Sequence, residues 1–179
     1  MSVRYISHYS IFIALSIITG YLIHFPILPQ APFLLYDPGH VFLLIAAFKF
    51  GPRAGMIMTL VYALLFALIT GQGGPYGALM NFLATGAFVL TSSWFYLKKH
   101  SKAGALLGLI LGTIAMTAVM IPANLIITPL YLGVNREMVM QLLLPAIIPF
   151  NILKGIISSL LALLVYKKVS VFLNKKDFC

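Results

Sequence analysis

The charges of this chain sit almost entirely at the ends of six apolar segments, and that arrangement leaves few folds open. The segments run over about 7–25, 39–50, 53–70, 76–97, 104–132 and 142–173, with the ends of the last extending beyond a bilayer. A transmembrane helix needs about 20 apolar residues. The second segment is shorter, and it crosses only if neighbours cover its ends or the bilayer thins. Of 179 residues, 61% are hydrophobic and 8% charged, and the mean hydropathy is +1.04. That composition belongs to an integral membrane protein. The expected fold is an all-α bundle of six transmembrane helices. No repeat, linker or low-complexity stretch divides the chain, so a single domain over 1–179 is expected.

The basic residues sort by side. With the N-terminus in the cytoplasm, the inner segments hold Arg4, Lys49, Arg53, Lys98, Lys99, Lys102, Lys167, Lys168, Lys175 and Lys176. The outer loops hold only Arg136. The positive-inside rule then puts both termini in the cytoplasm. This sorting requires the second segment to cross; otherwise the Lys98 and C-terminal clusters fall on opposite sides. The net charge of +9 is therefore a topological signal, and no nucleic-acid partner is expected. Cys179 is the sole cysteine, which leaves no disulfide framework and no cysteine metal site. The first apolar run has no Ala-x-Ala site after it and is read as retained rather than cleaved.

Lys154 is the one charge that cannot be moved to an interface. It lies in Pro149-Phe150-Asn151-Ile152-Leu153-Lys154-Gly155, inside the last apolar segment. A lysine near a helix centre costs roughly 2.5–3.5 kcal/mol on insertion scales. The chain has only three acidic residues to offset it. Asn151 and Lys154 are spaced i,i+3 and share a face. Asn124, eight residues before the end of the fifth segment, falls with them at roughly 9–12 Å below the outer surface. Asn81 on the fourth segment is at a similar or shallower depth. Three amides and an ammonium are thus placed where they can converge in the outer half. That donor-rich set suits a neutral, heteroaromatic ligand with carbonyls and ring nitrogens. It does not suit a metal. Helix-bridging asparagines and a lysine bonded to carbonyls freed near Pro149 are the plainer reading. For Asn81 that plainer reading stands. For Asn151 with Lys154 the cost of the buried charge favours a ligand.

The first outer loop, 24–38, carries Pro26, Pro29, Pro32 and Pro38, which exclude helix. Its apolar stretch, Phe33, Leu34, Leu35 and Tyr36, either lies on the bilayer surface or covers an outward-facing pocket. Ser10 with Ala14, and Ser16 with Gly20, are small-residue pairs permitting close helix approach, within this chain or to a partner. His24, Asp37 and His40 flank the loop, and a metal there would need a third ligand at suitable geometry. Neither Gly51-Pro52-Arg53-Ala54-Gly55 nor Gly71-Gln72-Gly73-Gly74 has the spacing of a phosphate-binding loop. With no serine–histidine or paired-carboxylate arrangement at membrane depth either, no catalytic residues and no enzyme activity are expected.

These residues resemble the substrate-binding (S) components of energy-coupling factor (ECF) vitamin transporters, and within them the riboflavin-binding group. The resemblance is carried by Phe33-Leu34-Leu35-Tyr36-Asp37 with Phe50-Gly51-Pro52-Arg53-Ala54-Gly55, by Gly77-Ala78-Leu79-Met80-Asn81-Phe82-Leu83, by Asn124 with Pro129 and Tyr131, and by Leu144-Pro145 through Gly155. It spans nearly the whole chain. It implies that Asn124, Asn151 and Lys154 hydrogen-bond a flavin ring. It also implies that the first outer loop, with Phe33, Leu34 and Tyr36, closes over that ring. Ser10 and Ala14 fall where the family contacts its transmembrane coupling (T) subunit, although Ile18 interrupts the usual alanine pair. Two further departures are Gly39-His40-Val41 in place of an Asp-x-Pro stretch, and Val61-Tyr62-Ala63 in place of a Lys-Asn pair. The implied partners are riboflavin as transported ligand, with no cofactor, the T subunit, two ATPases and the lipid of a bacterial cell membrane. An S component for another vitamin, such as pantothenate or thiamine, and a non-transport structural membrane subunit are the competing classes.

Overall fold

The computed structural model describes residues 3–29 and 31–173, with side chains described over 6–29 and 31–165. Lys175, Lys176 and Cys179 lie outside the described residues, as do the side chains of Arg4, Lys167 and Lys168. Helix α1 (Val3–Leu22) leads into the proline-rich loop, where β1 (Phe25–Pro26) pairs antiparallel with β2 (Leu35–Tyr36). Then follow α2 (Gly39–Phe50), α3 (Pro52–Thr70), α4 (Gly74–Lys98), α5 (Lys102–Leu132) and α6 (Arg136–Leu142). A π-helical turn, Leu143–Ile147, joins α6 to α7 (Ile148–Leu173). Among the described residues, four helical runs are long and apolar enough to cross a membrane: Pro52–Thr70, Gly74–Lys98, Lys102–Leu132 and Arg136–Val165. Two shorter apolar helices, Ile6–Leu22 and Gly39–Phe50, complete the bundle.

The breaks follow from local chemistry. Gly51 takes φ +89°, a conformation open mainly to glycine, and Pro52 then supplies a preset φ at the first turn of α3. The Ser101 hydroxyl accepts from Gly104 N at 3.0 Å and caps α5. Two boundaries differ from the sequence expectation. Helix α1 stops at Leu22 rather than near 25, because Phe25 and Pro26 are drawn into the strand pair. The last helix begins at Arg136 rather than 142 and continues through Pro145 by widening into the π turn. Arg136, expected in a loop, therefore opens α6.

Helix α2 shows how a short apolar helix can lie among longer ones. It has 12 residues, and Leu43, Leu44, Ile45, Ala46 and Ala47 are all buried. A helix apolar on every side belongs in the interior. Around it the outward faces of the other helices carry exposed Leu64, Leu68, Ile110, Ile114, Leu130 and Leu164, the surface expected against lipid.

Lipid tails give no hydrophobic incentive for helices to pair, so close packing of small residues has to hold them. The most extensive pairing is α4 against α5. At Gly108, a Cβ would stand 2.5 Å from the Ser92 carbonyl oxygen. At Gly155 on α7, a Cβ would meet the Thr113 side chain at 2.5 Å. Gly108→Val should therefore destabilise the bundle by about 1–3 kcal/mol through overpacking. A lower thermal unfolding midpoint in detergent would show it. Leu106→Val, on the exposed face of α5, should leave the midpoint unchanged.

Candidate functional site

A cavity of about 270 Å³ opens at one end of the bundle, beneath the proline-rich loop. Its walls come from the last turns of α3, the first third of α4, the last third of α5 and the first turns of α7. Phe66, Met120, Ile127 and Phe150 make much of the wall apolar, and Phe33, Leu34 and Leu35 cover it from the loop. Asn81, Asn124, Asn151 and Lys154 all line it. The four polar residues singled out by depth and helix spacing are thus brought to one cavity.

Their orientations are held by their own helices. The Asn124 amide donates to Met120 O at 2.8 Å, and its Oδ1 accepts from Thr128 Oγ1 at 2.9 Å. The Asn151 amide donates to Ile147 O at 2.8 Å. Thr85 Oγ1 donates to Asn81 Oδ1 at 2.9 Å. Each of the two buried amides, Asn124 and Asn151, keeps a second N–H beyond these bonds. With the Lys154 ammonium, the cavity offers donors on an otherwise apolar wall.

Lys154 has a carboxylate partner that the sequence analysis did not assign. Its Nζ lies 3.9 Å from Asp37 Oδ2, with both side chains almost wholly buried. Asp37 Oδ1 accepts from the Tyr62 hydroxyl at 2.6 Å and from Gly39 N at 3.1 Å. His40 Nδ1 stands 3.6 Å from the same oxygen, and its other ring nitrogen is hydrogen-bonded to Ser158. Burial pushes the Asp37 carboxyl up, but Lys154, His40 and the Tyr62 hydroxyl outweigh it and hold the group well below the usual carboxylate range. Tyr62, in the stretch that stands in place of a Lys-Asn pair, is thus a buried polar partner on α3. The clue to Asp37 was arithmetic. Of three acidic residues, it alone lies in the loop over the site, with Glu137 and Asp177 far along the chain.

Three other expected residues fall elsewhere. Tyr36 is buried but does not line the cavity; its ring stands edge-on to His40, with centroids 5.7 Å apart. Leu35 and Asp37, its neighbours, take the cavity wall instead. Ser10 and Ala14 lie on the exposed face of α1, flanked by exposed Ile11 and Ile18. Ser16 and Gly20 turn inward, and a Cβ on Gly20 would come within 2.7 Å of the Tyr62 hydroxyl. The two small-residue pairs therefore serve different neighbours. Among the described residues, no three of His, Cys, Asp and Glu come together as a metal-binding group.

The architecture has known counterparts. The structure of the S component of a bacterial ECF transporter superposes with a TM-score of 0.83 at 34% identity, covering 96% of this chain and 98% of that one. The riboflavin transporter RibU of Staphylococcus aureus is 38% identical over 159 residues, 86% of this chain and 84% of its own. RibU of Streptococcus thermophilus is 33% identical over 181 residues, covering 96% and 85%. The riboflavin transporter FmnP of Bacillus subtilis is 29% identical over 164 residues, covering 87% and 86%. The family model for the ECF transporter substrate-specific component matches residues 4–166. This chain belongs to the substrate-specific components of ECF transporters.

Proposed function

We propose that this protein captures riboflavin at the outer face of the bacterial plasma membrane and hands it inward as the substrate-specific subunit of an ECF transporter. The observation that carries the ligand is the convergence of Asn124, Asn151 and Lys154 on one largely apolar cavity. An isoalloxazine ring is a flat apolar body edged with carbonyls and ring nitrogens. Donors on an apolar wall match it, and the Phe33–Leu34 stretch supplies an apolar cover. The riboflavin transporters among its relatives support the same ligand. Asn81 lines the same cavity and adds to its polar groups.

The cavity faces outward in this reading, and both termini lie in the cytoplasm, because the basic residues cluster at the opposite end of the bundle. Nothing in the sequence hydrolyses ATP, so the energy for release comes from partners: a transmembrane coupling subunit and two ATPases. The exposed Ser10–Ala14 face of α1 provides a small-residue surface on which a partner helix can pack closely.

Titration of purified apo protein with riboflavin tests the ligand, since stacking in the cavity quenches flavin fluorescence. Saturable quenching at micromolar riboflavin or below is expected, and its absence overturns the reading. Lys154→Ala and Asn151→Ala should each weaken binding by roughly 10–100-fold, the loss of a hydrogen bond involving a charged or buried group. Their elution as monodisperse protein would separate this from misfolding. For the partner face, Ala14→Trp should abolish riboflavin uptake by cells while the purified variant binds riboflavin as the wild type does. Unimpaired uptake would remove α1 from the coupling surface.

A further inference from the structure

The loop over the cavity and the ammonium inside it are joined by one carboxylate. Asp37 directly follows β2, and Leu34 and Leu35 just before it line the cavity. Its two oxygens are divided. Oδ1 is committed to the Tyr62 hydroxyl and to Gly39 N, at 2.6 and 3.1 Å, which fixes the side chain on α3 and on the start of α2. Oδ2 is turned to Lys154 Nζ on α7. The pairing of β2 with β1 ties this stretch only to the start of the same loop. The backbone bonds of Ala31 N to Leu28 O and of Leu34 N to Ala31 O stay inside the loop.

Lysine side chains in membranes bend their ammonium toward the nearest polar surface. Lys154 has a long, rotatable stem and an apolar wall around it, so an anion is required to keep the ammonium pointed into the cavity. Among the described residues, the remaining acid is Glu137 at the start of α6, and only Asp37 pairs with Lys154. A single negative charge on a rigidly bonded side chain also leaves the site neutral overall, which fits an uncharged ring.

We propose that Asp37 is the positioning residue of this site: it aims the Lys154 ammonium into the cavity and, through the same ion pair, fixes residues 33–37 against α7. Asp37 acts through Lys154, so closure of the loop and contact with the ligand depend on one charge. This rests on the riboflavin reading for its ligand arm alone; the effect on the loop exists without ligand.

Hydrogen exchange on ligand-free protein tests the loop. Lys154→Met should speed exchange of the amides of residues 33–37 by about tenfold, as local opening becomes easier. Unchanged exchange overturns the proposal whether or not riboflavin binds. The ligand arm follows riboflavin dissociation by recovery of its fluorescence. Asp37→Asn should speed dissociation by about tenfold in the wild-type background, and by less than about twofold in Lys154→Met, the non-additivity of two residues acting as a pair. An equal effect in both backgrounds would mean that Asp37 works through Tyr62 and Gly39, or by touching the ligand from the cavity wall, and not through Lys154, and would overturn the proposal. Should Asp37→Asn not fold, the exchange measurement on Lys154→Met decides alone.

Discussion

A lysine ammonium buried in an apolar helix bundle has to be solvated by the protein itself, and much of the arrangement at one end of this molecule follows from that need. Stripped of its water, such a charge is stable only beside an opposite charge whose own remaining valences are satisfied. Asp37 is that charge, and Tyr62 and Gly39 N satisfy it. The requirement draws together three distant parts of the chain: the loop after α1, the middle of α3 and the first turns of α7. It also explains why a small residue stands at position 20, where a side chain on α1 would collide with the Tyr62 hydroxyl and Asp37. The cavity lies beside this cluster, where Lys154 can face both an anion and a ligand.

The rest of the bundle holds that end open without holding it loose. Helix α2 fills the interior, and only Phe42, Lys49 and Phe50 reach outward from it. Helices α4 and α5 meet along glycines and serines, close enough that backbone nearly touches side chain. Prolines 122 and 129 in α5, and the π turn before α7, disturb the helices near the cavity. Asn124 and Asn151 sit just past two of these disturbances and bond back onto their own helices. The amides are thereby preset before any ligand arrives, which lowers the ordering cost of binding.

Much of this could be read from the chain. Apolar length and charge sorting located the helices, because a bilayer penalises any other placement of backbone and charge. Helical spacing put Asn151 beside Lys154, and depth matched Asn124 to them. The loop was harder. Its prolines ruled out helix, yet whether Phe33 and Leu34 would face lipid or cavity depended on contacts between segments far apart in sequence. Tyr36 was misplaced for the same reason: its ring packs on His40 instead of facing the ligand space. Asp37 was weighed only as a metal ligand beside the loop, and its pairing with Lys154 was missed because it spans most of the chain. Helix ends shifted where local pairing or a π turn, neither visible in hydropathy, took over.

The donor set, the apolar wall and the neutral balance of Asp37 with Lys154 together describe a pocket for an uncharged, acceptor-rich ring. The most direct test is to purify the protein from cells grown on riboflavin and read its visible absorption after extensive washing. The account predicts a yellow protein carrying close to one flavin per chain, released as riboflavin on denaturation. A colourless protein that stays colourless after incubation with riboflavin would contradict it.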